Sequence, residues 1–137
     1  MLLQRNTQIA LHAAILLAQD PHLTRRIQDL AATMGVPPST LAGILHKLKE
    51  TGLVRTEHGT LGGFVLARPP QLILLWDIFA ATAELEGLEL CVMGFAKCNE
   101  NNPCPMHDTW APFREQLMAS LRSKNLLEAT RESRGRV

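Results

Sequence analysis

Residues 24–70 carry the pattern that most restricts how this chain can fold. Over 24–35, Ile27, Leu30, Ala31 and Met34 keep the three-and-four spacing of one helical face. Thr24 is placed to cap that helix, and Gly35 stands where a helix ends in a left-handed residue. Val36-Pro37-Pro38-Ser39 makes a tight turn, after which Leu41, Ile44, Leu45 and Leu48 repeat the spacing over 38–51 until Gly52. Two β-prone runs, 53–56 and 64–67, then flank a segment whose glycines permit a hairpin. Two short helices about a tight turn, followed at once by a hairpin, describe a helix-turn-helix with a wing.

The flanking segments read as helical. A first helix is expected over 7–19, ending before Pro21, and a helix apolar on all sides over 72–85, broken by Gly87. A long last helix over 105–123 places Trp110, Phe113, Leu117 and Leu121 on one face, with a kink or restart at Pro112 and a frayed tail over 131–137. The expectation is a mainly α fold with a small β-hairpin wing: a winged helix-turn-helix over 1–70 and a helical sensor region over 71–137. An aromatic content of 4% with no Tyr favours aliphatic helix packing over an aromatic-rich β-sandwich. The apolar runs are too short to span a bilayer, and His12 interrupts the apolar N-terminal stretch, so a cytoplasmic protein is expected.

A formal net charge of +1 is no evidence for nucleic acid in itself. Its distribution is more telling, because Lys and Arg outnumber acids over 1–68 and the balance reverses over 69–137. On the expected recognition helix, Ser39 and Thr40 can donate to phosphates or base edges, and Gly43 allows close approach. His46 and Lys47 lie further along, the wing supplies His58, Gly59 and Gly62, and Arg25 and Arg26 can anchor the preceding helix on the DNA backbone. No nucleophile–base constellation or Gly-rich nucleotide loop is present, so no enzyme is expected.

All three cysteines fall in one stretch, CVMGFAKCNENNPCPMH over 91–107. Six residues separate Cys91 from Cys98, five separate Cys98 from Cys104, and two separate Cys104 from His107. Three thiols and an imidazole in a Gly-, Asn- and Pro-containing loop make a soft-metal site of a reducing compartment. Closed zinc sites usually include a Cys pair only two to four residues apart, which is missing, so an iron–sulfur cluster is favoured. With Pro105 at the first position of the last helix, Cys104 is expected at a helix N-terminus, where the thiolate is stabilised and His107 shares its face.

The segment PPSTLAGILHKLKETGLVRTEHGTLGGFVLARPP resembles the winged helix of the IscR/NsrR-type bacterial repressors, the Rrf-type regulators. The similarity runs on through the cysteine loop and the last helix, covering nearly the whole chain. It implies a homodimer paired through that helix, binding double-stranded promoter DNA, with an iron–sulfur cluster of either the two-iron or the four-iron type controlling affinity. Redox state, nitric oxide or iron status would be the signal. Metal ligands would be Cys91, Cys98, Cys104 and His107. Some relatives instead take an acidic residue from the partner's first helix, and the matching position here is Gln8, with His12 one turn later. Relatives often carry Arg before the glycine run, where this chain has His58. The rivals are a winged-helix regulator sensing through free thiols or a small ligand, and a small cluster-bearing redox protein.

Overall fold

The first helix, α1 (Arg5–Gln19), buries nine of its fifteen residues, including Ile9, Ala10, Ala13, Ala14, Leu16 and Leu17. Its alanines let neighbours approach closely, and α2 (Ile27–Met34), α3 (Pro38–Glu50) and α4 (Leu75–Ala81) all pack against it. The computed structural model describes residues 3–58, 62–82, 85, 88–95 and 99–137. Helix α3 starts at Pro38 as expected, ends at Glu50 with Thr51 at its C-cap position, and buries Leu41, Ile44, Leu45 and Leu48. Gly35 caps α2 in the left-handed conformation at φ 68°.

Strands β1 (Val54–Glu57) and β2 (Gly63–Leu66) form an antiparallel hairpin in which Val54 faces Leu66 and Thr56 faces Phe64. A third strand-like segment joins it. The Arg25 N–H donates to the Phe64 carbonyl at 2.8 Å, and the Phe64 N–H donates to the Arg25 carbonyl at 2.7 Å. The approach is so close that a Cβ on Gly63 would collide with the Arg25 carbonyl. The expected start of α2 is therefore corrected. Arg25 is spent on this pairing, the helix begins at Ile27, and Thr24 does not cap it: its hydroxyl donates to Glu57 Oε2 at 2.8 Å.

Beyond the wing, the start of the expected 72–85 helix is replaced by a 3-10 turn (Pro70–Leu72) and an extended Ile73, and α4 follows; residues 83 and 84 lie outside the described residues. Leu72 is exposed, so this segment is not apolar-buried on all sides. Helix α4 starts late because Leu74 is held in an antiparallel bridge to Asn125, and its N–H donates to Asp77 Oδ2 at 2.9 Å. Gly87, the expected breaker, lies outside the described residues. The long helix α5 runs His107–Ser123 with Pro112 inside it, beginning two residues later than expected.

A last helix, α6 (Leu126–Glu132), was not anticipated. Asn125 caps it reciprocally with Glu128: Oδ1 accepts the Glu128 N–H at 2.9 Å, and Nδ2 donates to Oε1 at 2.6 Å. It packs on α1, Leu126 enters the same core as Ile9, and Val137 packs against that core, so the tail is not frayed throughout. The result is a mainly α fold with a β-hairpin wing and a long C-terminal helix. Among the described residues no helix is long and apolar enough to cross a membrane.

Two glycines should respond oppositely to a methyl group. Gly63→Ala is expected to cost about 1–3 kcal/mol, because neither backbone at the Arg25 contact can yield cheaply. Gly43→Ala, with nothing within 4 Å of its Cβ, should gain up to about 1 kcal/mol from helix propensity. Denaturant unfolding of both variants measures the contrast.

Candidate functional site

The inward turn of Leu41, Ile44, Leu45 and Leu48 forces the polar residues of α3 outward. Ser39, Thr40, Gly43, His46 and Lys47 are all exposed. His46 Nε2 lies 2.9 Å from Glu50 Oε1 on the same face. Between the starts of α2 and α3 and the wing lies a groove of about 630 Å³, bringing together Arg26, Gln28, Ser39, Gly62 and Phe64. N-terminal N–H groups of a helix favour an anion such as a phosphate. Gln28 was missed by the sequence reading; its signal was its place beside Ile27, on the outer face of a short helix.

Arg25 is half-buried and acts here through its backbone, whereas Arg26 is exposed at the groove. His58 is exposed at the end of β1, and Gly59 lies outside the described residues. The wing's position is fixed by Glu57, which accepts from Thr24 and, at 2.6 Å, from Arg55 Nη1. The Thr24 hydrogen bond, then that of Arg55, holds the Glu57 carboxyl below its ordinary value.

In the cysteine loop, Cys91 is buried and Cys104 half-buried. Burial is the largest influence on the Cys91 thiol and raises its pKa. The backbone N–H of Met93, the Cys104 thiol and the N–H groups of Phe95 and Gly94 together outweigh it, leaving Cys91 below the ordinary thiol value. Gly94 makes this ring of donors possible, standing at φ 86° with its N–H 2.9 Å from the Cys91 carbonyl. Trp110 Nε1 donates to the Leu90 carbonyl at 3.2 Å and so ties the start of the loop to α5.

The expected place of Cys104 is corrected. Helix α5 starts at His107, with Met106 at its N-cap position, and Pro105 sits in a preceding turn closed by the His107 N–H on the Cys104 carbonyl at 3.1 Å. Backbone N–H groups of Met93, Phe95 and Gly94 instead support a thiolate at Cys91. The short Cys-x-x-Gly run at 91–94 was the signal for this turn. His107 is half-buried, His12 exposed and Gln8 half-buried, while Cys98 lies outside the described residues. Among the described residues no three His, Cys, Asp or Glu side chains converge to hold a metal ion. A buried sulfur that accepts backbone N–H groups beside a second thiol is nonetheless the donor chemistry that suits an iron–sulfur group.

A helix-turn-helix with a pinned wing and a thiol-bearing helical extension defines a winged-helix DNA-binding regulator. Residues 3–132 match the model of the Rrf2 family, described as an iron-dependent transcriptional regulator, and the chain belongs to that family of regulators, which are not enzymes. An HTH-type transcriptional regulator of Aquifex aeolicus is 30% identical over 85% of this chain and 83% of its own length. IscR of Yersinia pestis is 26% identical over 74% of this chain and 62% of its own length. Among solved structures, CymR, the global cysteine regulator of B. subtilis, superposes with a TM-score of 0.78 at 23% identity, covering 95% of this chain and 96% of that one. T. potens IscR does so with a TM-score of 0.74 at 20% identity, covering 96% and 87%.

The Glu57 link predicts an acid-sensitive wing. With the folded pKa below the unfolded one, its stabilisation is present above the unfolded glutamate value, about 4.3, and is lost as pH falls through the folded value. Denaturant midpoints across that range should fall towards acid in the native chain, and Glu57→Gln should flatten the Glu57 part of the slope.

Proposed function

We propose that this chain is a homodimeric repressor of promoters whose DNA affinity is set by an iron–sulfur cluster in the 91–107 loop. The observation that carries the reading is Cys91, buried within a ring of backbone N–H donors and hydrogen-bonded to Cys104. Cys91, Cys98, Cys104 and His107 would hold the group, with Gln8 or His12 of the partner subunit as the alternative fourth ligand. When bound, a cluster supplies one-electron redox chemistry and iron that is open to nitric oxide or to iron scarcity.

The chain's own residues carry the rest. Residues 1–70 act as the DNA head and 71–137 as the sensor and pairing region, in a cytoplasmic setting that keeps thiols reduced. Ser39, Thr40, Gly43, His46 and Lys47 face the major groove; Arg25, Arg26, His58, Gly59 and Gly62 serve the backbone or minor groove. Trp110 transmits the position of Leu90 to α5, the pairing helix. Arg122, stacked 3.9 Å over the Trp76 ring, carries it to α4, and the buried Thr7–Thr82 hydrogen bond of 2.8 Å carries it to α1. Half-site spacing is fixed by the duplex, so a small change in this chain of contacts alters the fit of both recognition helices.

A second reading, sensing by the bare thiols, draws on the same lowered Cys91 and its contact with Cys104. Anaerobic purification separates the two. The cluster reading expects visible absorbance with bound iron, abolished by Cys91→Ala, Cys98→Ala or Cys104→Ala, and a changed spectrum in either His107→Ala or His12→Ala. A colourless protein whose DNA affinity responds to oxidant through Cys91 would establish the thiol reading. DNA affinity unchanged by all three cysteine substitutions would remove both. Affinity that stays level between about 50 and 200 mM salt would remove DNA binding itself.

A further inference from the structure

The two faces of the wing hairpin look onto different spaces. Arg55 pairs opposite Val65 and Thr56 opposite Phe64, so alternation sends Arg55, Glu57 and Val65 to one face and Thr56 and Phe64 to the other. Phe64 lines the groove shared with Ser39. Behind it, the opposite face borders a separate half-open cleft of about 700 Å³, lined by His22, Arg55, Val65, Arg68, Pro70 and Leu127 among others. That size is ordinary for a small-molecule site.

The cleft has an apolar floor and a cationic rim. Val65 and Pro70 are buried, and the Pro69-Pro70 pair stiffens the edge that carries Arg68. The ion pair of Arg68 is long, 3.7 Å to Asp77 Oδ2, and that oxygen already accepts the Leu74 N–H. Arg55 gives only Nη1 to Glu57, and His22 stands exposed at the mouth. Among the described residues Glu57 is the single carboxylate of the lining, and its two oxygens are taken by Thr24 and Arg55. Guanidinium donors therefore remain for an incoming anion.

We propose that this cleft binds a small anionic metabolite, a carboxylate or phosphate head on an apolar body. Arg68 and Arg55 hold the head, while Val65, Pro70 and Leu127 cover the body. The site is a second input, separate from the cysteine loop. An anion on Arg55 competes with Glu57, which also holds Thr24 at the entry to α2, so occupancy is felt at the joint between wing and helix-turn-helix.

The test is a titration of ¹⁵N-labelled full chain with phenyl phosphate and with phenylacetate, read by amide chemical shifts without DNA or metal. Saturable shifts are expected at Ala67, Gln71 and Leu127, and at Thr24 through Glu57. Arg68→Gln or Arg55→Gln should weaken binding about tenfold, the loss of one charge-assisted contact, and Arg131→Gln should not. Tighter binding of one probe names the head group. Equal binding of inorganic phosphate would overturn the apolar-body assignment. No saturable shifts, or shifts that both arginine substitutions leave intact, would overturn the site and leave the DNA-binding reading untouched.

Discussion

The two backbone hydrogen bonds between Arg25 and Phe64 set the distance between wing and helix-turn-helix, and with it the shape of the surface a duplex would meet. Each such bond contributes only about 0.5–1.5 kcal/mol net. Their importance is geometric. They anchor the hairpin to the segment that leads directly into α2, while Leu53 and Val54 anchor its other end in the core beneath α3. Gly63 permits the approach, and Glu57 braces it through Thr24. Since groove dimensions in DNA are fixed, a wing free to drift would lose register with α3.

Elements whose signal is local were legible in the sequence. The periodicity of α3, its four buried aliphatics and the left-handed Gly35 follow from neighbours within a few residues. Boundaries failed where a distant partner intervened. Thr24 looks like a cap until Glu57, thirty-three residues on, takes its hydroxyl, and Leu74 cannot open a helix while it is bridged to Asn125. Helix α6 has seven residues, too few to stand out by periodicity, although the Asn125–Glu128 pair marked its start. The loop was legible as a set of thiols but not as a set of donors. The N–H groups that act on Cys91 belong to Met93, Gly94 and Phe95, whose side chains give no hint of that role.

Contacts from the loop to the head run through polar and aromatic pairs set among aliphatic packing. Trp110 reads the Leu90 carbonyl, Arg122 lies over Trp76, and Thr82 bonds both Thr7 and the Ile78 carbonyl at the end of α4. The threonine pair is the buried link between α1 and the end of α4. Separating α1 from α4 there breaks the shared hydrogen bond, worth about 0.5–1.5 kcal/mol net, while Thr82 keeps its bond to the Ile78 carbonyl. That reaches the lower end of the scale on which coupled sites exchange free energy in regulated proteins. An aliphatic contact in the same place would slide at lower cost.

Helix α5 poses a different problem, because part of its apolar surface, Phe113 above all, is left exposed among the described residues. Of its seventeen residues only Trp110 and Leu121 are buried, while Phe113 is 44% exposed. Val92, Met93, Phe95 and Met106 are exposed as well, and Val92, Met106, Trp110 and Phe113 frame a small apolar pocket. Single exposed apolar residues are ordinary, but a contiguous group around a pocket marks a surface made for contact. The pairing proposed through α5 would cover it, and that places the cysteine loop against the pairing surface. Val92, Met93 and Phe95 belong to the same turn that wraps the Cys91 sulfur. A change in what that sulfur binds would then alter the contact surface itself, at the start of the same relay that runs through Trp110, Arg122 and Thr82.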